Sequence, residues 1–207
     1  PAGWYTIRSK ESGYYQGYHD AKACGDKPNQ NNSLSSTLNV GEMRIILRWP
    51  KTNPVTAIDL DAHLSVPDND STGTLHLWYE RRNIIYASAD DNVTIDKDHK
   101  ATSVPPSPPG DETMTITKVR SGTYSFSVHN ATDADNGSAN YKTNLLRSNT
   151  KVKVFYNKEG TLIRKRFYVP SREGTLWRVF TFDSSRSGSG FTVVDNMTYE
   201  DTAGNVY

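Results

Sequence analysis

Apolar and polar residues alternate with a period of two through most of this chain. Met43-Arg44-Ile45-Ile46-Leu47-Arg48-Trp49 is short, apolar and closed by Pro50, the pattern of a buried strand. In the stretch Ile58 to Leu64 an extended backbone sends Ile58, Leu60, Ala62 and Leu64 to one face and Asp59, Asp61 and His63 to the other. Met114-Thr115-Ile116-Thr117 and Tyr124 to His129 alternate around Ser121-Gly122 and predict an antiparallel hairpin. Val152 to Tyr156 and Thr161 to Val169 flank Asn157-Lys158-Glu159-Gly160 and predict a second one. Leu176 to Phe182 and Phe191 to Val194 bracket a Ser/Gly-rich loop, and no window sustains helical periodicity. Short strands with closely spaced turn signals predict an all-β fold, an antiparallel β-sandwich of jelly-roll or Ig-like type.

The first forty residues fit that plan less well. Trp4 to Arg8, the aromatic run Tyr14 to Tyr18 and the stretch Leu34 to Val40 are strand candidates, separated by the polar loop Cys24 to Ser33. So few strands cannot enclose a core. Residues 1–40 therefore predict a partial β module or strand extension, covered by a neighbouring module or another copy. Residues 41–199 predict the complete sandwich, and 200–207 a C-terminal tail.

Composition narrows the function classes. Lys+Arg is 24 against Asp+Glu 23, for a net charge of +1, and the basic residues are scattered apart from Arg164-Lys165-Arg166. Such a balance points away from nucleic acid and acidic membranes. Mean hydropathy is −0.70, and no apolar run is long enough for a transmembrane helix. The lone Cys24 excludes a disulfide within the chain and any cysteine-built metal cluster. The start at Pro1 without a signal-peptide pattern suggests a piece of something longer. Asn-X-Ser/Thr occurs at Asn31, Asn69, Asn92, Asn130, Asn136 and Asn196, the composition of a glycoprotein at the cell surface or outside the cell.

Catalytic signatures are missing. There is no nucleophile elbow, phosphate loop, dinucleotide fingerprint or His-X3-His motif among His19, His63, His76, His99 and His129, so no enzyme is expected. The acidic pairs Asp59/Asp61 and Asp96/Asp98 each place two carboxylates on one face if extended, and Glu112 follows a Pro-rich stretch. Oxygen-only ligands from separate strands suit a structural Ca²⁺. A zinc site drawing on His63 and His99 would need more nitrogen or sulfur ligands together. The alternative for these carboxylates is a solvated face salt-bridged to Arg44, Arg48 or Lys97. Trp78, Tyr79 and Tyr86 around Arg81-Arg82-Asn83 are candidates for a glycan-stacking platform, against the alternative of core packing.

Two resemblances add to this reading. Ala2-Gly3-Trp4-Tyr5-Thr6-Ile7 with Gly13-Tyr14-Tyr15 resembles the closing half of a carboxypeptidase-regulatory-like β-sandwich. Gly41-Glu42-Met43-Arg44-Ile45-Ile46-Leu47-Arg48-Trp49 and Asp59-Leu60-Asp61-Ala62-His63-Leu64 resemble the YfaP-like family of secreted β-sandwich modules of unknown function. That likeness continues through His76-Leu77-Trp78-Tyr79, Ile95 to Asp98, Glu112 to Ile116, Gly122 to Asn130, Gly174 to Phe180 and Val194 to Met197. The chain departs from the family pattern at His99 after Asp98 and in the Pro-rich insertion Val104 to Gly110. The expectation is a non-enzymatic structural or adhesive module of a larger surface protein or self-assembling filament. Its partners would be other modules or copies of the same protein. A carbohydrate-binding module is the alternative.

Overall fold

A computed structural model of the chain describes residues 3–23, 36–49, 59–68, 73–87, 90–99, 110–130 and 141–206. They form β1 (Gly3–Ser9), β2 (Gly17–Ala23), β3 (Met43–Trp49), β4 (Asp61–Pro67), β5 (Thr74–Leu77), β6 (Asn83–Ile85), β7 (Asn92–Lys97), β8 (Gly110–Ile116) and β9 (Thr123–His129). A short helix, α1 (Tyr141–Arg147), precedes β10 (Lys151–Lys158), β11 (Thr161–Tyr168), β12 (Leu176–Asp183) and β13 (Phe191–Thr198). The chain divides into two compact units, Pro1–Asn39 and Val40–Tyr207.

The larger unit is an antiparallel β-sandwich. One sheet has the order β11-β10-β3-β8-β7-β6 and the other β13-β12-β9-β4-β5. In β3, Met43, Ile45, Leu47 and Trp49 are buried, as the alternation predicts, while Arg48 is exposed on the opposite face. The core joins Met43, Ile45, Leu47, Met114 and Val154 of the first sheet to Leu64, Phe126, Val128 and Phe180 of the second. Phe180 holds its centre, stacked on Phe126 at 5.5 Å and on Phe167 at 5.1 Å between ring centroids. The register shift between Arg178 and Phe180 marks an irregularity in β12, where the adjacent Val179 and Phe180 are both buried.

The second expected hairpin forms as β10 and β11. Lys158 pairs with Thr161, so the connection is Glu159-Gly160, with φ of 52° and 84°. Positive φ at both positions is the geometry that fits the twist of a two-residue hairpin. The first expected hairpin does not form. β8 pairs with β3 and β7, whereas β9 lies in the other sheet between β12 and β4. Each strand has one buried face, and that alternation is the same for a hairpin and for a crossing between sheets. The crossing is pinned by Tyr124, whose hydroxyl accepts from the Arg120 N–H at 2.7 Å and donates to the Arg120 carbonyl at 3.1 Å. Arg120 in turn reaches Asp91 at 2.5 Å and lies 4.0 Å over the Tyr86 ring.

Helix α1 is a second departure. Two turns, with Asn144 and Leu145 buried, leave too short a pattern for periodicity to register. It ends at Ser148, which donates to the Leu145 carbonyl at 2.6 Å, and Asn149 takes φ of 51°. In the smaller unit β1 pairs with β2, and Tyr14 bridges Ser36. The second strand thus overlaps the aromatic run Tyr14–Tyr18 only at Gly17 and Tyr18 and continues to Ala23. Among residues 200–206, Ala203 and Val206 are buried, and Thr175 Oγ1 donates to the Glu200 carbonyl at 2.6 Å.

Gly110 opens β8 against the Trp49 indole, where an added Cβ would come within 1.9 Å of the ring. Gly110→Ala is expected to destabilise the fold by about 1–3 kcal/mol through overpacking, read as a lower urea midpoint with an unchanged slope.

Candidate metal centre

The carboxylates converge where β4 and β8 begin and β7 ends. Asp61 is the first residue of β4, and Asp59 stands two residues before it. The strand is buried along both faces. Leu60, Ala62, Leu64 and Val66 enter the core, while Asp61, His63 and Ser65 are covered on the other side. A solvated outer face for Asp61 and His63 is therefore corrected. Glu112 lies on the inner face of β8, and its Oε2 accepts the Ala62 backbone N–H at 2.7 Å. This bond joins the two sheets. No donor among the described residues reaches the buried Glu112 Oε1.

Asp98 completes the group through an irregularity. The β7–β8 register shifts between Ile95 and Lys97, so Lys97 and Asp96 both turn to the outer face. Asp96 accepts hydrogen bonds there from Thr94 Oγ1 at 2.6 Å and Thr115 Oγ1 at 2.5 Å, and Lys97 pairs with Asp111 at 2.5 Å. Regular alternation would have kept Asp96 and Asp98 together. The bulge separates them, and Asp98 turns inward beside Glu112, near enough for a shared proton to bridge the two carboxyls. Asp96 is thereby removed from the candidate ligand set, which becomes Asp59, Asp61, Asp98 and Glu112.

Electrostatics reflect how crowded this end is. Burial first, and then the charges of Asp59 and Asp98, push the Asp61 carboxyl up to about 7. Glu112 is raised well above its ordinary value by burial, then by Asp61, against the opposing pull of the Ala62 N–H. Arg82 Nη1 pairs with Asp98 Oδ2 at 3.5 Å. Carboxyls crowded in a buried site repel one another, and a proton or a cation that offsets their charge stabilises them. Among the described residues no three His, Cys, Asp or Glu side chains already close on a common point as a metal-holding group. The carboxyls are neighbours that a cation would have to draw in. Their hard oxygens, and the buried Glu112 Oε1 in particular, fit Ca²⁺ better than a nitrogen-seeking metal.

Further along the face of β4 that carries Asp61, the structure gathers residues that spacing in the sequence does not connect. His63 Nδ1 and His76 Nε2 are 2.9 Å apart, and His129 meets His63 edge-on at 5.6 Å between centroids. His63, Ser127 and Ser65 face outward on paired strands, so only the pairing of β4 with β5 and β9 reveals the cluster. Burial, then His129 and His76, hold the His63 imidazole well below its usual range, and burial with Arg81 lowers His76 to about 4. Both rings are neutral near pH 7. Trp78 stacks parallel to His76 at 5.5 Å, and His129 Nε2 contacts the Glu200 carbonyl at 2.8 Å.

That packing changes the aromatic platform. Trp78 is half-buried and spends a face on His76, with exposed Tyr79 edge-on to it at 4.6 Å. Tyr86 is engaged elsewhere, its hydroxyl donating to the Pro67 carbonyl at 2.6 Å under the Arg120 guanidinium. The three rings do not make one stacking surface. Of the candidate glycosylation sites, Asn196 is exposed on β13, Asn92 is half-buried, and Asn130 is fully buried, which leaves no room for a glycan. Asn31, Asn69 and Asn136 lie outside the described residues, as does Cys24.

No protein-family model matches the chain. No curated protein is significantly similar to it. Among solved structures it is similar to the one titled "Crystal structure of unknown function protein SAV2460", at 15% identity and a TM-score of 0.46, over 79% of this chain and 91% of that one.

The raised Asp61 carboxyl sets a sign for pH dependence. Its folded value lies above the ordinary 3.8, so without a cation its contribution to stability is complete below that value and is lost as pH rises toward 7. Asp61→Asn removes this dependence. In chelator, the stability of Asp61→Asn minus that of the parent is expected to grow between pH 4 and 7 by roughly 2–4 kcal/mol, since each tenfold change in proton affinity is worth about 1.4 kcal/mol. The histidine contributions are common to both proteins and cancel. Urea denaturation across that range checks it.

Proposed function

We propose that this chain is a non-enzymatic β-sandwich module of a larger extracellular surface protein or fibre, stabilised at one end by Ca²⁺. The observation that carries the cation is the crowding of Asp59, Asp61, Asp98 and Glu112, whose charges on one another add to burial in raising Asp61 and Glu112. A divalent ion there would take carboxylate oxygens from β4, from the end of β7 and from β8, and so tie the two sheets together. Its role is structural, because the groups around it hold each other rather than an open position for a substrate. The exposed sequon at Asn196 supports the extracellular setting. The hairpin of β1 and β2 supports assembly with other modules or copies. Tyr5 and Ile7, two residues apart and so on one face of β1, are both exposed, and a two-stranded ribbon has no core of its own.

Calcium titration followed by thermal unfolding tests the reading. At a concentration about 100 times the dissociation constant, a native-state ligand adds about 2.7 kcal/mol, or roughly 5–10 °C for a domain of this size. The parent is expected to show that rise and Glu112→Gln to lose most of it, with Mg²⁺ a weaker substitute. An unchanged melting temperature for the parent in millimolar Ca²⁺ overturns the cation site.

A further inference from the structure

The outer face of the six-stranded sheet collects cations that are far apart in sequence. Tyr168, Lys151 and Arg48 lie in register across β11, β10 and β3, and Arg166 and Lys153 form the next row. Arg164 follows one row further, opposite Phe155. All of these alternate with inward residues such as Val152, Val154 and Phe167, so they share the outward face. None of Arg48, Lys151, Lys153 or Arg166 has a salt bridge among the described residues. The nearest acids are already committed, Asp111 opposite Arg48 to Lys97 and Glu42 to Arg44. The crowding is felt at Lys153, lowered by burial and then by Arg166, Arg48 and Lys151. With a net charge of +1 for the whole chain, this field belongs to one face and not to the composition.

We propose that this face docks a linear acidic polysaccharide, whose repeated sulfates or carboxylates lie along the rows of Arg48, Lys151, Lys153, Arg164 and Arg166. Neighbouring strands stand about 4.8 Å apart and same-face residues about 6.7 Å apart along a strand, a lattice of charges suited to an extended polyanion. A sheet face encloses no compact ligand. Tyr168 is 55% exposed beside Lys151, whose ammonium lies 5.8 Å from the ring centroid, and it supplies one flat apolar surface for a sugar ring. Single-stranded nucleic acid is held by successive aromatic stacks, and membrane surfaces by apolar side chains that insert. The other apolar residues in these rows, Ile46 and Phe155, are half-buried in the sheet.

Binding of the full chain to heparin, measured by calorimetry in chelator, tests this independently of the calcium site. Heparin is expected to bind at about 50 mM salt and to weaken roughly 10- to 100-fold by about 200 mM, as counterion release at a handful of contacts requires. Lys153→Glu combined with Arg166→Glu is expected to weaken binding at least about tenfold. The charge-matched pair Lys118→Glu and Lys142→Glu, away from these rows, leaves it within a factor of about two. Should the first pair fail to fold, Arg48→Glu with Lys151→Glu takes its place. Absence of heparin binding at low salt, an equal loss in the control pair, or tighter binding of single-stranded DNA or phosphatidylserine vesicles than of heparin overturns the proposal.

Discussion

The hydrogen bond from the Ala62 N–H to Glu112 holds a buried carboxyl between two sheets whose core is mainly apolar. Taking such a group out of water costs several kcal/mol unless its oxygens are satisfied. One oxygen is satisfied by β4, and the other faces Asp98. That single requirement organises the end of the sandwich. β4 must lie across from β8, Asp98 must turn inward at the end of β7, and Asp61 and Asp59 arrive with the strand that supplies the amide. The rest of the core could tolerate changes of apolar shape. This end tolerates only changes that keep the negative charge offset.

Much of the fold can be read from alternation. The positions of β3, β4, β10, β11, β12 and β13, and the buried sets of β3 and β10, follow from period-two patterns bounded by turn residues. Pairing between strands is less legible. Tyr124 and Met114 sit on neighbouring stretches with a turn signal between, yet they belong to opposite sheets. Alternation reports that a strand has one buried face, and both arrangements satisfy it. The side chain that fixes the crossing, Tyr124 on the Arg120 backbone, looks in sequence like any other inward aromatic.

The candidate site is half legible for a related reason. Asp59, Asp61, Asp98 and Glu112 stand out as acids beside apolar runs, and the structure brings them together. Asp96 groups with Asp98 in the sequence because an extended strand places i and i+2 on one face. A one-residue shift in the β7–β8 register breaks that rule at this point. The histidines of β4, β5 and β9 are invisible as a group in the sequence, since their proximity depends wholly on which strands are neighbours. His63 lies two residues from Asp61, and burial disfavours the charged form of both, holding one as a neutral base and raising the other toward a neutral acid.

The same pleat that buries Glu112 exposes Arg48. Leu47 is paired with Glu112, and Arg48 with Asp111, so an acidic interior and a basic exterior occupy adjacent positions of one strand pair. Composition hides this, because equal numbers of acids and bases scattered along a chain imply no field. Alternation turns Glu112 toward the gap between the sheets and Arg48, with Asp111 opposite it, toward the outer face. A divalent cation held by Glu112 would add positive charge on the side of the β3–β8 pair opposite Arg48. The outer face would then become more attractive to a polyanion without any change in its own residues. The two proposed sites would therefore be linked in sign through β3 and β8, although each is built from side chains the other does not use.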